Sequence, residues 1–222
     1  MDWPLLAPLD EDERSAVVRA ARCRSFAKGE VVFHEGDPAD SLHLVTAGHL
    51  AVRVSTPDGE RVTLNVLGPG SHVGELALLG PTPEHRRSAT VVALDAAETR
   101  VLAAAAFHEI CAENPRIQRL LTDLLAARVR ELSARLLDAM YLGLDRRLYR
   151  SLLEVGELYG SGSGGTPVIP LTQEQLADLA GGTRPTVNQI LQKLVEQQVI
   201  ALGRGKVTLL DPARLRHKAG LL

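Results

Sequence analysis

The sequence predicts an α+β protein in which an antiparallel β-domain is followed by helices. Three observations support this prediction. Short segments that alternate apolar and polar residues fill the chain from about residue 24 to 107, turn signals separate them at intervals of about ten residues, and the apolar spacing becomes helical after Pro115. With 222 residues, of which 45% are hydrophobic, the chain can bury a core in one large domain or two small ones.

Composition excludes several classes of protein. The apolar fraction and a formal net charge of −2 exclude intrinsic disorder, and no apolar run approaches the roughly 18 residues of a membrane-spanning helix. The acidic N-terminus lacks the basic start and apolar core of a signal peptide. Cys23 and Cys111 cannot build a disulfide framework, and no Cys/His cluster predicts a zinc site. We therefore expect a soluble, cytoplasmic protein without a metal.

Charge is distributed unevenly along the chain. Residues 1–142 contain 15 Lys and Arg against 20 Asp and Glu, whereas residues 143–222 contain 10 against 7. A basic part joined to an acidic part favours a division of labour in which the C-terminal part faces a polyanion. Random scatter of charge is the alternative explanation.

The first half of the chain predicts one helix and a set of strands. Residues 10–21 predict a short helix with Asp10 as its N-cap. The alternating segments that predict strands are Leu42–Leu44, Leu50–Val54, Val62–Val66, Ser88–Leu94 and Thr99–Leu102. Turn signals lie at residues 36–38, 47–48, 57–59 and 68–70, with a loop at residues 80–83. Regularly spaced strands of period two indicate an antiparallel sandwich or barrel.

A long helix follows Pro115. Five residues follow a 4-3-4-3 spacing, which is typical of a coiled-coil seam, and they are Leu125, Val129, Leu132, Leu136 and Ala139. Leu120, Leu121, Leu124 and Leu137 widen the apolar face. One side of the helix can therefore pack on the β-domain while the seam pairs with a second copy. A single broad face buried in a monomer is the alternative.

The next helix is expected to begin after Gly143. Gly143 ends the long helix, and Asp145 is the expected N-cap of a helix that runs to about Tyr159. The glycine- and serine-rich residues 161–167 then predict a flexible loop.

Residues 172–197 contain two short helical patterns joined by a tight turn. Thr172 is a good N-cap for the first helix, Gly181 suits the turn, and Thr183 is expected to cap the second helix. Pro185 falls in the first turn of that helix, where a missing N–H costs nothing. The expected buried faces consist of Leu176, Ala177 and Leu179 on the first helix and Val187, Ile190, Leu191 and Leu194 on the second. This pattern predicts a helix-turn-helix whose second helix enters a DNA major groove.

A β-hairpin with a basic tip follows, formed by Val199–Leu202, Gly203–Lys206 and Val207–Leu210. Such a hairpin is the wing of a winged helix. On the helix before it, Arg184 can present a bidentate fork to guanine, and Asn188 and Gln189 can pair with adenine edges. Thr183 and Thr186 suit phosphate oxygens. A merely polar, exposed helix face is the alternative.

The β-domain carries a second informative stretch, Val73–Leu79 followed after a turn by Arg87-Ser88-Ala89. An arginine offers two parallel N–H bonds to a phosphate, and a neighbouring hydroxyl and backbone amides can complete a cradle. A carboxylate can accept a hydrogen bond from a ribose hydroxyl. Glu75 and Arg87 could thus hold a sugar phosphate, although a surface Arg–Glu pair would give the same pattern.

The order of these features resembles the cyclic AMP receptor/fumarate-nitrate regulator (CRP/FNR) family of bacterial transcription regulators. The resemblance rests on the glycine-punctuated strands, the GELALL…RRSA stretch, the long helix and the GGTRPTVNQIL segment. It implies a double-stranded β-roll, a jelly-roll-like cyclic nucleotide-binding domain, over residues 1–115. A dimerisation helix over 116–142 and a winged helix-turn-helix over 143–222 complete the expected domains.

The resemblance also implies a mechanism and its residues. A homodimer would bind a palindromic site in double-stranded DNA, with RNA polymerase as a further partner and cyclic AMP or another cyclic nucleotide as effector. The implied effector contacts are Gly74, Glu75, Leu76, Arg87 and Ser88, with Ser133 reaching the base. The implied DNA contacts are Thr172, Gln173, Thr183, Arg184, Pro185, Thr186, Asn188, Gln189, Arg204 and Lys206.

The recognition helix departs from the cyclic AMP receptor. Pro185 replaces a glutamate that reads cytosine in that receptor, and Gln189 replaces a second guanine-reading arginine. We therefore expect a half-site that retains one guanine but differs from TGTGA.

Other classes of function remain as alternatives. A family member that needs no ligand is one, and a cyclic nucleotide-binding module that regulates a partner protein is another. A metal-dependent oxygenase of the cupin type would need clustered histidines, but those of this chain are dispersed. No nucleophile elbow, P-loop or dinucleotide fingerprint is present. We expect no enzymatic activity.

Overall fold

The computed structural model describes residues 3–56, 58–59, 61–79, 86–160 and 166–221, with the side chains of residues 115, 116 and 118 excepted. Contacts divide the chain into two units. The first comprises Met1–Arg61 and Asn65–Glu131, and the second comprises Val62–Leu64 and Leu132–Leu222. The predicted loop at residues 80–83 and residues 161–165 of the predicted loop at 161–167 lie outside the described residues.

The first unit opens with helix α1, Glu11–Ala20, which a capping box begins. Asp10 Oδ1 accepts from the Glu13 amide at 2.9 Å, and Glu13 Oε2 accepts from the Asp10 amide at 3.0 Å. These two bonds satisfy two amides that the helix itself leaves unpaired. The predicted N-cap at Asp10 is confirmed.

Eight strands follow, and they form two four-stranded antiparallel sheets. The strands are β1 Arg22–Phe26, β2 Val31–Phe33, β3 Ser41–Ala47, β4 Leu50–Ser55, β5 Arg61–Leu67, β6 His72–Val73, β7 Thr90–Ala93 and β8 Ala97–Ala103. Their order is β1-β8-β3-β6 in one sheet and β2-β7-β4-β5 in the other. Buried apolar side chains from both sheets, including Phe26, Val45, Leu50 and Val91, share one core cluster. Of the predicted alternatives, an antiparallel sandwich or a barrel, the two sheets form the sandwich.

Two helices, α2 Ala104–Glu113 and α3 Pro115–Tyr141, complete this part of the chain. The early turns of α3 bury Ile117, Leu120 and Leu124 in a cluster that includes Phe107. Its later turns expose a run of large apolar side chains, here called the α3 stripe, which consists of Val129, Leu132, Leu136, Leu137 and Met140. The early turns of α3 therefore pack on the β-domain, and the predicted pairing of the later turns with a second copy stays a prediction.

The second unit is a small helical domain with a three-stranded sheet. Its elements are α4 Leu144–Gly160, β9 Val168–Ile169, α5 Gln173–Ala180, α6 Arg184–Glu196, β10 Ile200–Gly203, β11 Lys206–Leu209 and α7 Pro212–Ala219. The strands pair in the order β10-β11-β9. Leu152, Leu176 and Leu191 are fully buried in this domain. The predicted helix-turn-helix and wing are confirmed.

One predicted cap is wrong. Helix α4 begins at Leu144, so the residue before it is Gly143 and Asp145 lies inside the first turn. The Gly143 carbonyl accepts from the Arg147 amide at 3.1 Å, which is the first bond of the helix. A Cβ on Gly182 would lie 2.6 Å from Leu144 Cδ1, so Leu144 packs closely on the turn of the helix-turn-helix. This packing favours a helix that already includes Leu144.

Candidate functional site

Arg87 lies between the two sheets of the β-domain and is almost completely buried, with 6% of its surface exposed. Its backbone amide donates to the Asp37 carbonyl at 2.8 Å, and its carbonyl accepts from the Gly36 amide at 2.8 Å. These bonds tie Arg87 to the turn between β2 and β3. They therefore fix the backbone position from which the Arg87 side chain extends.

The guanidinium group of Arg87 is held by the start of β3. Nη1 donates to the Ser41 carbonyl at 2.7 Å, and Nη2 donates to Ser41 Oγ at 2.9 Å and to Asp40 Oδ1 at 3.1 Å. The guanidinium carbon lies 4.0 Å from the centroid of the Phe33 ring. Burial lowers the pKa of Arg87, and the Asp40 carboxylate opposes this shift. The group remains a cation, since the pKa of arginine is far above neutrality.

Gly74 allows the guanidinium to come this close. Its φ is +87°, and an added Cβ would lie 2.5 Å from Arg87 Nη1 and 2.8 Å from the Ser41 carbonyl oxygen. A side chain at position 74 would thus fill the space that Arg87 occupies. The structure brings Gly74 and Arg87 into contact, as the family resemblance implies.

A short 3-10 helix, Glu75–Leu79, follows Gly74. The Glu75 side chain is half-buried, and its Oε1 lies 3.9 Å from Arg128 Nε on α3. Arg128 Nη1 in turn donates to Glu131 Oε2 at 2.8 Å. Glu75 thus follows the glycine that contacts Arg87 and lies close to a charged group on α3. Leu76 is 39% exposed.

Two other implied effector contacts are exposed. Ser88 directly follows Arg87, and Ser133 lies on α3 within the second unit. Their contacts with an effector stay predictions.

Sequence reasoning missed the residues that hold Arg87, namely Phe33, Asp40 and Ser41. They come from β2 and from the start of β3, far from Arg87 in sequence, and no motif marks them. Next to Phe33 lies His43, whose ring centroid is 5.6 Å from that of the phenyl ring. Burial lowers the pKa of His43 to about 4, with Arg87 and Arg24 adding to the shift and Asp40 opposing it. His43 is therefore neutral at pH 7.

The helix-turn-helix is shaped by two local signals. Thr172 Oγ1 accepts from the Gln175 amide at 3.2 Å, and Gln175 Oε1 accepts from the Thr172 amide at 2.9 Å, which forms a capping box for α5. Gly181 ends α5 in the left-handed region, with φ of +66°. Both predicted positions are confirmed.

Helix α6 begins directly after Thr183, as predicted, but the Thr183 side chain does not cap it. Thr183 is the N-cap residue, yet its hydroxyl makes no capping bond and instead lies 2.9 Å from Thr186 Oγ1. The proline in the first turn has no backbone N–H, so this turn offers the Thr183 hydroxyl one hydrogen-bond donor fewer. The first turn of α6 therefore exposes two hydroxyls and the side chain of Arg184.

The remaining implied DNA contacts differ in exposure. Pro185 and Gln189 are exposed, whereas Asn188 is half-buried. The amide oxygen of Asn188 is buried and has no hydrogen-bond partner within the described part of the chain. In this conformation Asn188 cannot offer that oxygen to an adenine, and its contact with DNA stays a prediction.

A cavity of about 370 Å³ separates the starts of α5 and α6 from the wing. The polar and charged residues that line it are Thr172, Gln173, Glu174, Arg184 and Lys206. Arg204 and Gly205 form the two-residue turn of the wing, and Arg204 is exposed. Two cations, one carboxylate and two helix N-termini thus face one groove, in which the cations and N-termini suit phosphate oxygens while Glu174 opposes them.

The described residues contain no group of three or more metal-ligating side chains. Nor does any helix among them have the length and apolar character needed to span a bilayer.

Comparison with known proteins agrees with both sites. Residues 23–114 match the cyclic nucleotide-binding domain, and residues 146–218 match the Crp-like helix-turn-helix domain. The Cyclic AMP receptor protein of Thermus thermophilus is 31% identical over 216 residues, which cover 97% of this chain and 96% of that protein. The CRP-like cAMP-activated global transcriptional regulator of Mycobacterium tuberculosis is 29% identical over 207 residues, 92% of this chain and 91% of that protein.

A solved structure supports the same assignment. The crystal structure of Thermus thermophilus catabolite activator protein matches with 30% sequence identity and a TM-score of 0.55, over 99% of this chain and 100% of that chain. These relatives are transcription regulators rather than enzymes. The chain belongs to the CRP/FNR family of DNA-binding transcription regulators and carries a cyclic nucleotide-binding domain ahead of its helix-turn-helix.

Proposed function

We propose that this chain acts as a homodimer that binds a palindromic DNA site under the control of a cyclic nucleotide, cyclic AMP foremost. Residues 1–115 would bind the effector, residues 116–142 would dimerise, and residues 143–222 would bind DNA. RNA polymerase is a proposed further partner in the cytoplasm.

The buried guanidinium of Arg87 is the observation that carries the effector proposal. Burying a cation costs free energy unless an anion compensates it. Its one carboxylate partner among the described residues, Asp40, is 79% exposed, and Arg87 Nε is buried without a partner in that same set of residues. A phosphate would supply the missing anion and accept from Nε.

Other groups near Arg87 fit the rest of a cyclic nucleotide. The Glu75 carboxylate can accept from a ribose hydroxyl, and the first amides of the 3-10 helix have no acceptor within that helix. Ser88 can donate its hydroxyl to the phosphate. Ser133 is the proposed contact of the base. Each of these roles remains a proposal.

The dimer proposal rests on the α3 stripe. Val129, Leu132 and Leu136 are each more than half exposed, at 62%, 52% and 60%. A contiguous run of exposed apolar side chains marks an interaction surface, and their heptad-like spacing fits a second copy of the same helix. Two copies would present two Arg184 side chains to one duplex.

Thermal denaturation with cyclic nucleotides tests the effector. A ligand that binds only the folded protein must raise the melting temperature. We expect cyclic AMP to stabilise the wild type and Arg86→Gln, an adjacent exposed arginine, but not Arg87→Gln. If cyclic AMP, cyclic GMP and cyclic dinucleotides all leave the wild type unchanged, the effector proposal is wrong.

A second candidate is a regulator that needs no ligand. Asp40 and Ser41 already engage both η-nitrogens of Arg87, so the pocket is held together without an added anion. DNA affinity that is equal with and without each nucleotide would favour this candidate. Nucleotide binding without preference for any duplex over random DNA would favour the third candidate, a cyclic nucleotide-binding module that regulates a partner protein.

A further inference from the structure

Arg87 already has an anion beside it, and that anion belongs to the chain. Asp40 Oδ1 accepts from Arg87 Nη2 at 3.1 Å and from Ser41 Oγ at 2.8 Å. The Arg87 side chain is 4% exposed and that of Asp40 is 79% exposed. The carboxylate is therefore open to solvent, whereas the guanidinium that it contacts is buried.

The three nitrogens of the Arg87 guanidinium differ in their hydrogen bonds. A guanidinium has five N–H groups; Nη1 donates to the Ser41 carbonyl, and Nη2 donates to both Ser41 Oγ and Asp40 Oδ1. Nε, which shares an edge of the group with Nη2, is buried and has no partner among the residues described. Asp40 thus occupies half of an edge that a phosphate grips with two parallel bonds.

Asp40 is not needed to aim the guanidinium. Ser41 holds it with two bonds, the Phe33 ring covers one face, and Gly74 abuts Nη1. The Asp40 bond is the longest of the three and exceeds the 2.7–2.9 Å that is usual for a charged pair. Its carboxylate would also repel a phosphate at the same edge.

We infer that Asp40 is an internal competitor of the effector, which releases Nη2 of Arg87 when the phosphate of the effector binds. Ser41 keeps its two bonds during this exchange, so Arg87 does not have to turn. The inference rests on the proposed function in one respect, namely that the displacing anion belongs to a cyclic nucleotide. Asp40 then sets the concentration of nucleotide at which the site fills.

The test is Asp40→Asn in the full-length protein, titrated with cyclic AMP by calorimetry. Removing the competing charge should tighten binding by about fivefold, the upper range for an exposed ion pair. Without nucleotide, the same change should lower the melting temperature by about 2–4 °C, because Arg87 loses a partner. Asp58→Asn, an exposed carboxylate at the turn between β4 and β5, is the control and should change neither quantity. Unchanged or weaker binding by Asp40→Asn would overturn the inference.

The same variants separate this inference from the proposed function. If the wild type binds no cyclic nucleotide, the proposed function fails, and stabilisation by inorganic phosphate then decides about Asp40. A larger phosphate-dependent rise in melting temperature for Asp40→Asn than for wild type, absent when Arg87→Gln is added, supports competition. Equal stabilisation of both proteins contradicts it.

Discussion

The guanidinium carbon of Arg87 lies 4.0 Å from the centre of the Phe33 ring. Phe33 ends β2, and Arg87 precedes β7, the strand that pairs with β2. The pairing of these strands thus brings a cation onto an aromatic face. Such contacts are worth more when water is excluded, and Arg87 is buried.

Phe33→Leu should weaken effector binding. The leucine keeps most of the apolar volume but removes the ring face, which should cost about 1–2 kcal/mol of nucleotide binding as Arg87 loses its orientation. Calorimetry with cyclic AMP measures this effect. Phe26→Leu is the control, because that ring is more deeply buried than Phe33 and lies under Arg24 rather than Arg87; it should lower stability while the affinity stays close to that of wild type.

His43 should make the protein less stable in acid. Its pKa is about 4 in the folded chain against 6.5 when unfolded, so the unfolded state binds more protons between these values. The contribution of His43 to the free energy of unfolding is therefore full above pH 6.5 and falls by up to about 3 kcal/mol as the pH approaches 4.

Urea denaturation at several pH values, followed by the fluorescence of Trp3, measures this loss. Trp3 is the only tryptophan of the chain and is buried. His43→Asn should lower the free energy of unfolding but make it depend less on pH. Replacement of the exposed His34 by Asn should leave the pH dependence of the free energy of unfolding as in wild type. An identical slope for wild type and His43→Asn would refute the assignment.

Arg184 and Lys206 should affect DNA binding in different ways. Arg184→Ala should lose about 1–3 kcal/mol of binding to the preferred site with little loss on random DNA, because it removes a base contact. Lys206→Ala should weaken both and reduce the salt dependence, since it removes a phosphate contact. Fluorescence anisotropy with both duplexes over a range of salt separates the two. Equal loss of specificity from both changes would contradict these roles.

Leu132→Glu should dissociate the proposed dimer. Leu132 is 52% exposed in the single chain, so a charge there costs the isolated fold little but would be buried without a partner between two helices. Sedimentation velocity should show a monomer. Arg130→Glu, at an exposed position on the same helix, should remain dimeric. A monomeric wild type would remove the basis of the whole proposal.

Arg147 should stabilise the helix-turn-helix. It donates to the carbonyls of Ala139, Ala180 and Gly181, at 3.0, 3.0 and 3.1 Å, and so joins the last turn of α3 to the end of α5. Arg147→Met should reduce protection of α5 amides from hydrogen exchange by about ten- to a hundredfold. Arg146→Met, the exposed neighbour, should not change it.

Local signals in the sequence were sufficient for most of the fold. Alternation of residues located β3, β4, β5, β7 and β8, Asp10 and Thr172 located helix starts, and Gly181 located the tight turn. Strands β2, β6 and β9 were not predicted, because two or three residues are too few for a periodic pattern. Strand β1 and helices α2 and α7 were not predicted either. The prediction of Asp145 as an N-cap was wrong, because α4 already includes Leu144, which packs on the turn of the helix-turn-helix.

The candidate sites were predicted only in part for a related reason. Arg87, Gly74 and Arg184 stand in short contiguous motifs, so their roles could be inferred. Phe33 meets Arg87 through the pairing of β2 with β7, and Asp40 and Ser41 meet it from the other sheet, so nothing in their local sequence indicates these contacts. Asn188 was predicted from its place on the helix, but helical spacing does not show that its amide oxygen is buried.

The missing side chain at Gly74 has an effect that charge and polarity would not reveal. An alanine there would remove no hydrogen-bonding atom, yet its methyl group would overlap Arg87 Nη1 and the Ser41 carbonyl. The guanidinium of Arg87 would have to move away from the Phe33 ring and from Ser41 of β3, which hold it. Gly74→Ala would thus disrupt the proposed effector site through one added carbon, without changing any residue of the helix-turn-helix.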